Sequence, residues 1–453
     1  MALSNQEVNK KFGVISLGCP KNLVDTEVTI GLLEQAGYIM TQQMEEANII
    51  LVNTCSFIDK SKKESAETIL EMAELKKAGS CEKLMVLGCF AQLYRDKIMK
   101  EIPEIDAVIG TGEFQRVVEI LDEVEKGKQV ETVHKPLYVY DDNVPRHLCT
   151  LPHTAYVKIS EGCDHVCSFC IIPRLRGKQR SRPMGSIISE VKKLGEHDVK
   201  EINLIAQDLT DYGSDLYGEH RLVPLLRELN KIDSIQWIRL LYTYPSLVTD
   251  ELIDTIEGCD RIAKYIDIPL QHISDNLLKT MRRNTTSRQI RTLIHKLRNR
   301  VPEIAIRTTF IVGYPGETED DFQELKDFVQ ESEFDRMGVF TYSREEHTLA
   351  YRSDSQIPEK VKNSRLKKLM GVQQKVMLRK NSTLIGRETD ILIDEIQKNG
   401  SVELIGRTSQ QAPDIDGVTY LKKPRKVEIK TGEIIKAKIV SSMGYDLMAE
   451  VIP

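Results

Sequence analysis

Short apolar runs, each followed by an amphipathic helical stretch, recur along most of this chain, and that alternation restricts the fold more than any other feature. Between Phe12 and about Gly127 the runs FGVISLG, NIILVNT, KLMVLG and AVIG alternate with the helical stretches DTEVTIGLLEQAG, SKKESAETILEMAELKKAG and YRDKIMKEI, and a last helix follows. Strands that take turns with helices form βαβ units, and such units build a parallel sheet. A polar connector containing Asp141, Asp142, Asn143 and Pro145 comes next. From about Thr154 to Met370 the alternation resumes, with TAYVKIS, EINLIAQ, WIRLLYT, YIDIPLQ, AIRTTFIVG and RMGVFTY as strand candidates. Six βα units predict a complete or partial TIM-like barrel. After Asn381 the period shortens: TDILIDE, SVELIGR, VTYLKK and EIIKAKIVSS are broken by NG, DG and TG. These runs predict a small antiparallel, OB-like β barrel. The fold class is thus α/β, with a parallel-sheet domain over 10–130, a (βα) barrel over 145–380 and a β barrel over 381–450. A length of 453 residues agrees with about three domains.

Composition narrows the function. Hydrophobic residues at 41% and charged residues at 29% are ordinary for a folded protein. No apolar run approaches the roughly 18 residues that span a bilayer, and Met1 to Gly13 has no apolar signal core. A cytoplasmic protein with no membrane partner is expected. A net charge of −5 argues against wrapping nucleic acid along the whole length. Nine cysteines in a reducing compartment point to metal or thiol chemistry ahead of disulfides.

Three of the nine fall in Glu161-Gly162-Cys163-Asp164-His165-Val166-Cys167-Ser168-Phe169-Cys170, just after the first strand of the central domain. A structural zinc site wants four ligands, usually in two separated pairs. Here three thiols share one loop with no fourth nearby, although His165 keeps zinc as an alternative. Three thiolates on a four-iron cluster leave one iron open to a small molecule. C-x3-C-x2-C at this place resembles the radical S-adenosylmethionine superfamily. The resemblance implies that the open iron is chelated by the amino and carboxylate groups of S-adenosylmethionine. An electron, from a donor of flavodoxin or ferredoxin type, then cleaves the sulfonium to a 5′-deoxyadenosyl radical. Such a radical takes hydrogen from carbons that no side-chain base can deprotonate.

Cys19, Cys55 and Cys89 follow VISLG, IILVNT and LMVLG, so each lies at the C-terminal end of a predicted parallel strand. That edge is where open α/β sheets hold ligands. For any one of them alone, a small buried hydrophobe is the competing reading. Cys81, Cys149 and Cys259 lie elsewhere and read as structural. Two sets of three thiols followed by a small β barrel resemble the methylthiotransferase family from about residue 10 to 450. The resemblance implies two 4Fe-4S clusters, with Cys19, Cys55 and Cys89 on the auxiliary one and Cys163, Cys167 and Cys170 on the radical one. It implies that the auxiliary cluster carries the sulfur, that a second S-adenosylmethionine gives the methyl group, and that no side chain beyond the clusters is catalytic. It also makes the C-terminal barrel a TRAM domain.

Ser16-Leu17-Gly18-Cys19-Pro20-Lys21-Asn22-Leu23-Val24-Asp25 is similar to the branch that modifies an aspartate β-carbon in ribosomal protein S-twelve; the tRNA branch has Gln-Met-Asn after that cysteine. Ala206-Gln207-Asp208 with Tyr212-Gly213, Tyr342-Ser343-Arg344-Glu345-Glu346 and Asp416-Gly417-Val418-Thr419-Tyr420-Leu421 agree. His347 departs, since the family pattern has glycine there. From Asn381 to Pro453 there are ten Lys/Arg against eleven Asp/Glu, a poor clamp for tRNA phosphates. A very basic ribosomal protein suits an acidic enzyme better. The expected partners are therefore ribosomal protein S-twelve and the electron donor, with tRNA disfavoured and a monomer as default. The competing readings are the same chemistry on a tRNA adenosine, and a non-catalytic iron–sulfur RNA-binding redox sensor.

Polar residues at the C-terminal strand ends of a βα barrel point at its active site. Gln207, Asp208, Gln271 and Thr309, with Gly313 in Gly313-Tyr314-Pro315-Gly316-Glu317-Thr318, are therefore candidates for binding S-adenosylmethionine or substrate, as is His272. Helix caps and loop hydrogen bonds compete with that reading, including a capping box from Thr318 to Asp321. The basic stretch Pro173 to Arg182 reads as a solvated helix start, with contact to an acidic group as the alternative. Lys360 to Lys380 reads as a solvated linker helix, Trp237 as core and Gly37 as a helix C-cap.

Overall fold

The computed structural model describes residues 10–79, 81–397, 403–422 and 428–452. The polar chain start, the NG turn at Asn399-Gly400 and the ends of SVELIGR and VTYLKK lie outside them. Two compact units are present: Met1–Cys149 with Lys158–His165 and Cys170–Ile187, and Thr150–Val157 with Val166–Phe169 and Ile188–Pro453.

The first unit is built on a six-stranded sheet in the order β2-β1-β3-β4-β5-β6, parallel throughout. Its elements run β1 (Lys11–Ser16), α1 (Pro20–Gln35), β2 (Ile39–Met40), β3 (Ile49–Thr54), α2 (Asp59–Lys77), β4 (Lys83–Gly88), α3 (Cys89–Glu101), β5 (Ala107–Ile109), α4 (Val117–Glu125) and β6 (Val130–Thr132). The four predicted strands are all there; β2 and β6 were too short to show as apolar runs. Ile50, Val52, Leu84, Val86 and Val108 from the sheet pack with Ile69, Met72, Ala73 and Ile98 from α2 and α3. Strands covered on both faces read as continuous apolar runs, as β3 and β4 do. Cys81 sits in this core, its thiol donating to the Lys83 carbonyl at 3.0 Å. Also in this unit are β8 (Ser160–Glu161) and β9 (Arg180–Ser181), an antiparallel pair flanking the cysteine loop and α5 (Ile172–Arg176).

In the second unit all six predicted strands form one open sheet, so the barrel is partial. They are β7 (Thr154–Lys158), β10 (Glu201–Ile205), β11 (Trp237–Leu240), β12 (Ile262–Gln271), β13 (Ala305–Val312) and β14 (Arg336–Thr341), paired in chain order and parallel from β10 to β14. The helices between them are α6 (Met184–Glu196), α7 (Ser214–Tyr217), α8 (Leu222–Leu229), α9 (Asp250–Gly258), α10 (Asp275–Thr280), α11 (Ser287–Arg300) and α12 (Glu319–Ser332). Thr318 caps α12, and its box closes on Asp321, so aspartate does stand in for glutamate. Trp237 is buried.

Helix α13 (Glu359–Leu384) leads to a closed five-stranded barrel of β15 (Glu388–Ile396), β16 (Leu404–Thr408), β17 (Thr419–Lys422), β18 (Ile434–Met443) and β19 (Asp446–Val451). Ile391, Ile393, Leu404, Leu421, Ala437 and Ala449 fill it. The expectation of a wholly antiparallel barrel needs correction, because β17 and β19 pair in parallel. Strand β19, DLMAEV, follows β18 after a two-residue turn and pairs with both β18 and β17, which closes the ring. Helix α13 is not the solvated linker its lysines and arginines imply. Lys362, Arg365, Leu369, Gln373 and Val376 are buried along one face, with Arg365 paired to Glu317 at 2.9 Å.

Candidate functional site

Cys19, Cys55 and Cys89 leave β1, β3 and β4 at their C-terminal ends, as the parallel register requires of three neighbouring strands. Cys19 is the N-cap of α1, with Pro20 at the first helical position, and Cys89 opens α3. Helix N-termini carry partial positive charge and favour a thiolate. Two glycines permit this placement. Gly18 has φ +96°, and a Cβ there would lie 2.9 Å from the Cys55 Sγ; Gly88 has φ +95°, and its Cβ would lie 2.6 Å from the Thr54 carbonyl oxygen. Ser65 of α2 fixes Cys55, accepting from its backbone N–H at 3.0 Å and donating to its carbonyl at 2.8 Å.

Around these thiols lies a buried polar group that sequence reasoning missed. Asn22 Nδ2 donates to the carbonyls of Leu17 at 3.0 Å and Thr54 at 2.8 Å. Its Oδ1 accepts from Arg176 and lies 3.8 Å from the Cys89 Sγ. Arg176 Nη1 donates to Asp25 at 2.6 Å and to Glu161 at 3.3 Å, and Lys158 pairs with both carboxylates. Burial pushes the Cys89 thiol up to about 12, against the pull of Arg176, and burial raises Cys55 as well. Burial also opposes ionisation of Glu161, but Lys158 and Arg176 outweigh it and hold the carboxyl down at about 2. The stretch Pro173 to Arg182 is therefore not a solvated helix start: Arg176 and Arg182 are buried, and the guanidinium of Arg182 lies over the Tyr140 ring. The signal in the sequence was only a dense arginine run directly after the cysteine loop.

Cys163 and Cys170 belong to the first unit and Cys167 to the second, all three half-buried. The Cys163 N–H donates to the Gly177 carbonyl at 3.1 Å, and Asp164 accepts from the Gln179 N–H at 3.2 Å. In the second unit Arg283, also missed, donates to the Cys167 Sγ at 3.7 Å and to the Pro269 carbonyl at 2.7 Å while its guanidinium lies over Tyr244. Ser168 holds the turn by donating to the Thr280 carbonyl at 2.8 Å. Among the described residues no three His, Cys, Asp or Glu side chains close to the spacing of a single metal ion. A four-iron cluster places each thiolate on a different iron and needs a wider set. Three thiols on three strand ends, met by helix N-termini and a buried cation, fit such a group.

Four of the five candidates for S-adenosylmethionine or substrate lie at the C-terminal edge of the second unit's sheet, Gln207 and Asp208 after β10, Gln271 ending β12 and Gly313 after β13, whereas Thr309 lies in the middle of β13. Asp208 accepts from the Thr210 N–H at 2.8 Å, a loop bond. Gln271 has φ +73° at a bulge in β12. The Gly313 N–H donates to Glu317, which also binds Arg365 and His272; His272 is wholly buried, so it holds the turn together. His347, where glycine was expected, has φ +70°, so the loop keeps the left-handed conformation.

The family model described as uncharacterized protein family UPF0004 matches residues 11–110, that of the radical SAM superfamily residues 157–329, and that of the TRAM domain residues 385–452. Among solved structures, the radical S-adenosylmethionine methyltransferase TsrM from Kitasatospora setae shares the fold with a TM-score of 0.53 at 14% identity, over 73% of this chain and 72% of that chain. Fold and cysteine pattern together define a radical SAM protein, a class that works with S-adenosylmethionine and iron–sulfur chemistry. A relative from Citrifermentans bemidjiense, named ribosomal protein uS12 methylthiotransferase RimO, is 46% identical and covers 99% of this chain and 100% of its own. One of the same name from Clostridioides difficile is 47% identical over 98% and 99%. The chain belongs to the RimO family of ribosomal protein uS12 methylthiotransferases, which bears out the family resemblance drawn from its cysteines and the Gly-Cys-Pro-Lys-Asn segment.

Proposed function

We infer that this chain methylthiolates the β-carbon of an aspartate in ribosomal protein uS12. The observation that carries the reading is the pair of three-cysteine sets, each without a fourth cysteine, in a chain that matches RimO relatives end to end. Cys163, Cys167 and Cys170 would hold the cluster that binds S-adenosylmethionine and Cys19, Cys55 and Cys89 a second one, which together supply hydrogen abstraction, sulfur and methyl transfer when bound.

The chain's own residues orient and shield. Arg283, pinned by the Pro269 carbonyl and the Tyr244 ring, directs a donor at the Cys167 sulfur. Gln207, Asp208, Gln271 and Gly313, at strand ends, and Thr309, within β13, would meet S-adenosylmethionine or the substrate loop. In this reading residues 10–130 carry the auxiliary cluster, 145–380 the radical chemistry and 381–450 form the TRAM barrel, and an electron donor of flavodoxin or ferredoxin type reduces the radical cluster.

Deleting the gene and comparing uS12 with a digest of total tRNA by mass spectrometry tests the reading. The expected result is loss of one methylthio group from uS12 with unchanged tRNA nucleosides. Loss of a methylthioadenosine with intact uS12 would move the activity to tRNA.

A further inference from the structure

We propose that Arg176 is a positioning residue for the three-thiol site: it supplies the cation beside Cys89 and ties the start of the Cys163 loop to that site. The proposal rests on the reading that Cys19, Cys55 and Cys89 hold an iron–sulfur cluster.

Arg176 closes α5, six residues after Cys170, and is 2% exposed. A guanidinium that far from water must find partners for its fork. It finds Asp25 and Glu161 on one arm and Asn22 on the other. Asn22 in turn holds the carbonyls of Leu17 and Thr54, which precede Gly18-Cys19 and Cys55, and its Oδ1 faces the Cys89 sulfur. On the loop side, Glu161 lies two residues before Cys163, and the Gly177 carbonyl next to Arg176 accepts the Cys163 N–H at 3.1 Å. Arg176 and Asn22 together thus connect the three strand ends of the auxiliary site to the segment that carries Cys163.

The buried quartet of Asp25, Glu161, Lys158 and Arg176 is neutral overall, and its guanidinium donates to the Asn22 Oδ1 that lies 3.8 Å from the Cys89 Sγ. Charges here are screened far less by solvent ions than charges at the surface. A cation and hydrogen-bond donor beside a thiolate-ligated cluster favours the more negative, reduced form. Removing it lowers the reduction potential.

The test uses the full-length chain carrying C163A, C167A and C170A, so that only the auxiliary cysteines can load iron. Reconstituted protein is titrated with dithionite and followed by electron paramagnetic resonance, with and without Arg176→Met or Arg176→Lys. The expected result is a more negative midpoint and an altered signal for Arg176→Met, with the midpoint largely restored by Arg176→Lys. A merely structural arginine would lower the melting temperature and iron content but leave the midpoint of the cluster that does form unchanged, and that outcome overturns the proposal. If Arg176→Met does not fold, the neutral but hydrogen-bonding Arg176→Gln decides in its place: an unchanged midpoint for that variant overturns the proposal. If the parent variant binds no iron, the cluster reading itself fails.

Discussion

Gly88 shows how much a single residue can decide. Its φ of +95° turns the chain from β4 into α3 so that Cys89 opens the helix, and a Cβ would press on the Thr54 backbone. Because the obstacle is backbone, it cannot swing aside. Gly88→Ala is expected to cost on the order of 1–3 kcal/mol and to lower iron bound per chain, read by denaturation and iron assay. His347 is the opposite case. A side chain occupies a left-handed position, so His347→Gly should raise stability by about 0.5–1 kcal/mol, seen as a higher denaturation midpoint. The places of Cys19, Cys55 and Cys89 at strand ends, and of Cys163, Cys167 and Cys170 in one loop, were legible in the sequence because strand ends and loop spacing are local. Arg176 was not, because burying a guanidinium depends on Asp25 and Asn22, some 150 positions earlier in the chain.

At the level of elements, several connections are buried ion pairs. Glu201 of β10 is wholly buried between Arg239 of β11 and Arg407 of β16, at 2.7 Å from each. Burial opposes its ionisation, but the two arginines outweigh that and hold its carboxyl below the usual range. Glu201→Gln leaves two buried cations short of a counter-ion and should destabilise by about 3–5 kcal/mol, measurable by urea unfolding. The same groups set an acid limit. A carboxyl lowered in the folded state contributes stability above its unfolded value, near 4.3 for glutamate, and loses it as pH falls through the folded value. With Glu161 near 2, and Glu201, Asp335 and Asp394 also lowered, the melting temperature should fall between about pH 4.3 and pH 2. In α13 the buried positions 362, 365, 369, 373 and 376 follow a helical face, so the packing was written in the spacing. The residue types hid it, since Lys362 donates to the Tyr342 carbonyl and Gln373 to that of Phe334 in place of apolar contact.

Across the whole molecule, two three-thiol sets predict that iron divides between them. Replacing Cys19, Cys55 and Cys89 together, or Cys163, Cys167 and Cys170 together, should each leave roughly half the wild-type iron; a redox sensor or zinc site built on one set alone would not divide this way. The charge of the C-terminal barrel also reads differently once folded. Arg407 is buried on Glu201 and Asp394, and Arg387 pairs with Glu303 at 2.5 Å, so fewer of its basic side chains are free to meet phosphate than the count implies. The sequence alone determined the parallel sheets, the order of modules and the placing of cysteines at strand ends and in one loop, because hydrophobic period and loop spacing are properties of neighbouring residues. Only the tertiary structure decided which charges are buried, that β17 and β19 run in parallel, and that Asn22 and Arg176 stand beside Cys89. Burying a charge or closing a barrel depends on partners brought from distant segments, and no local pattern records where those partners will be.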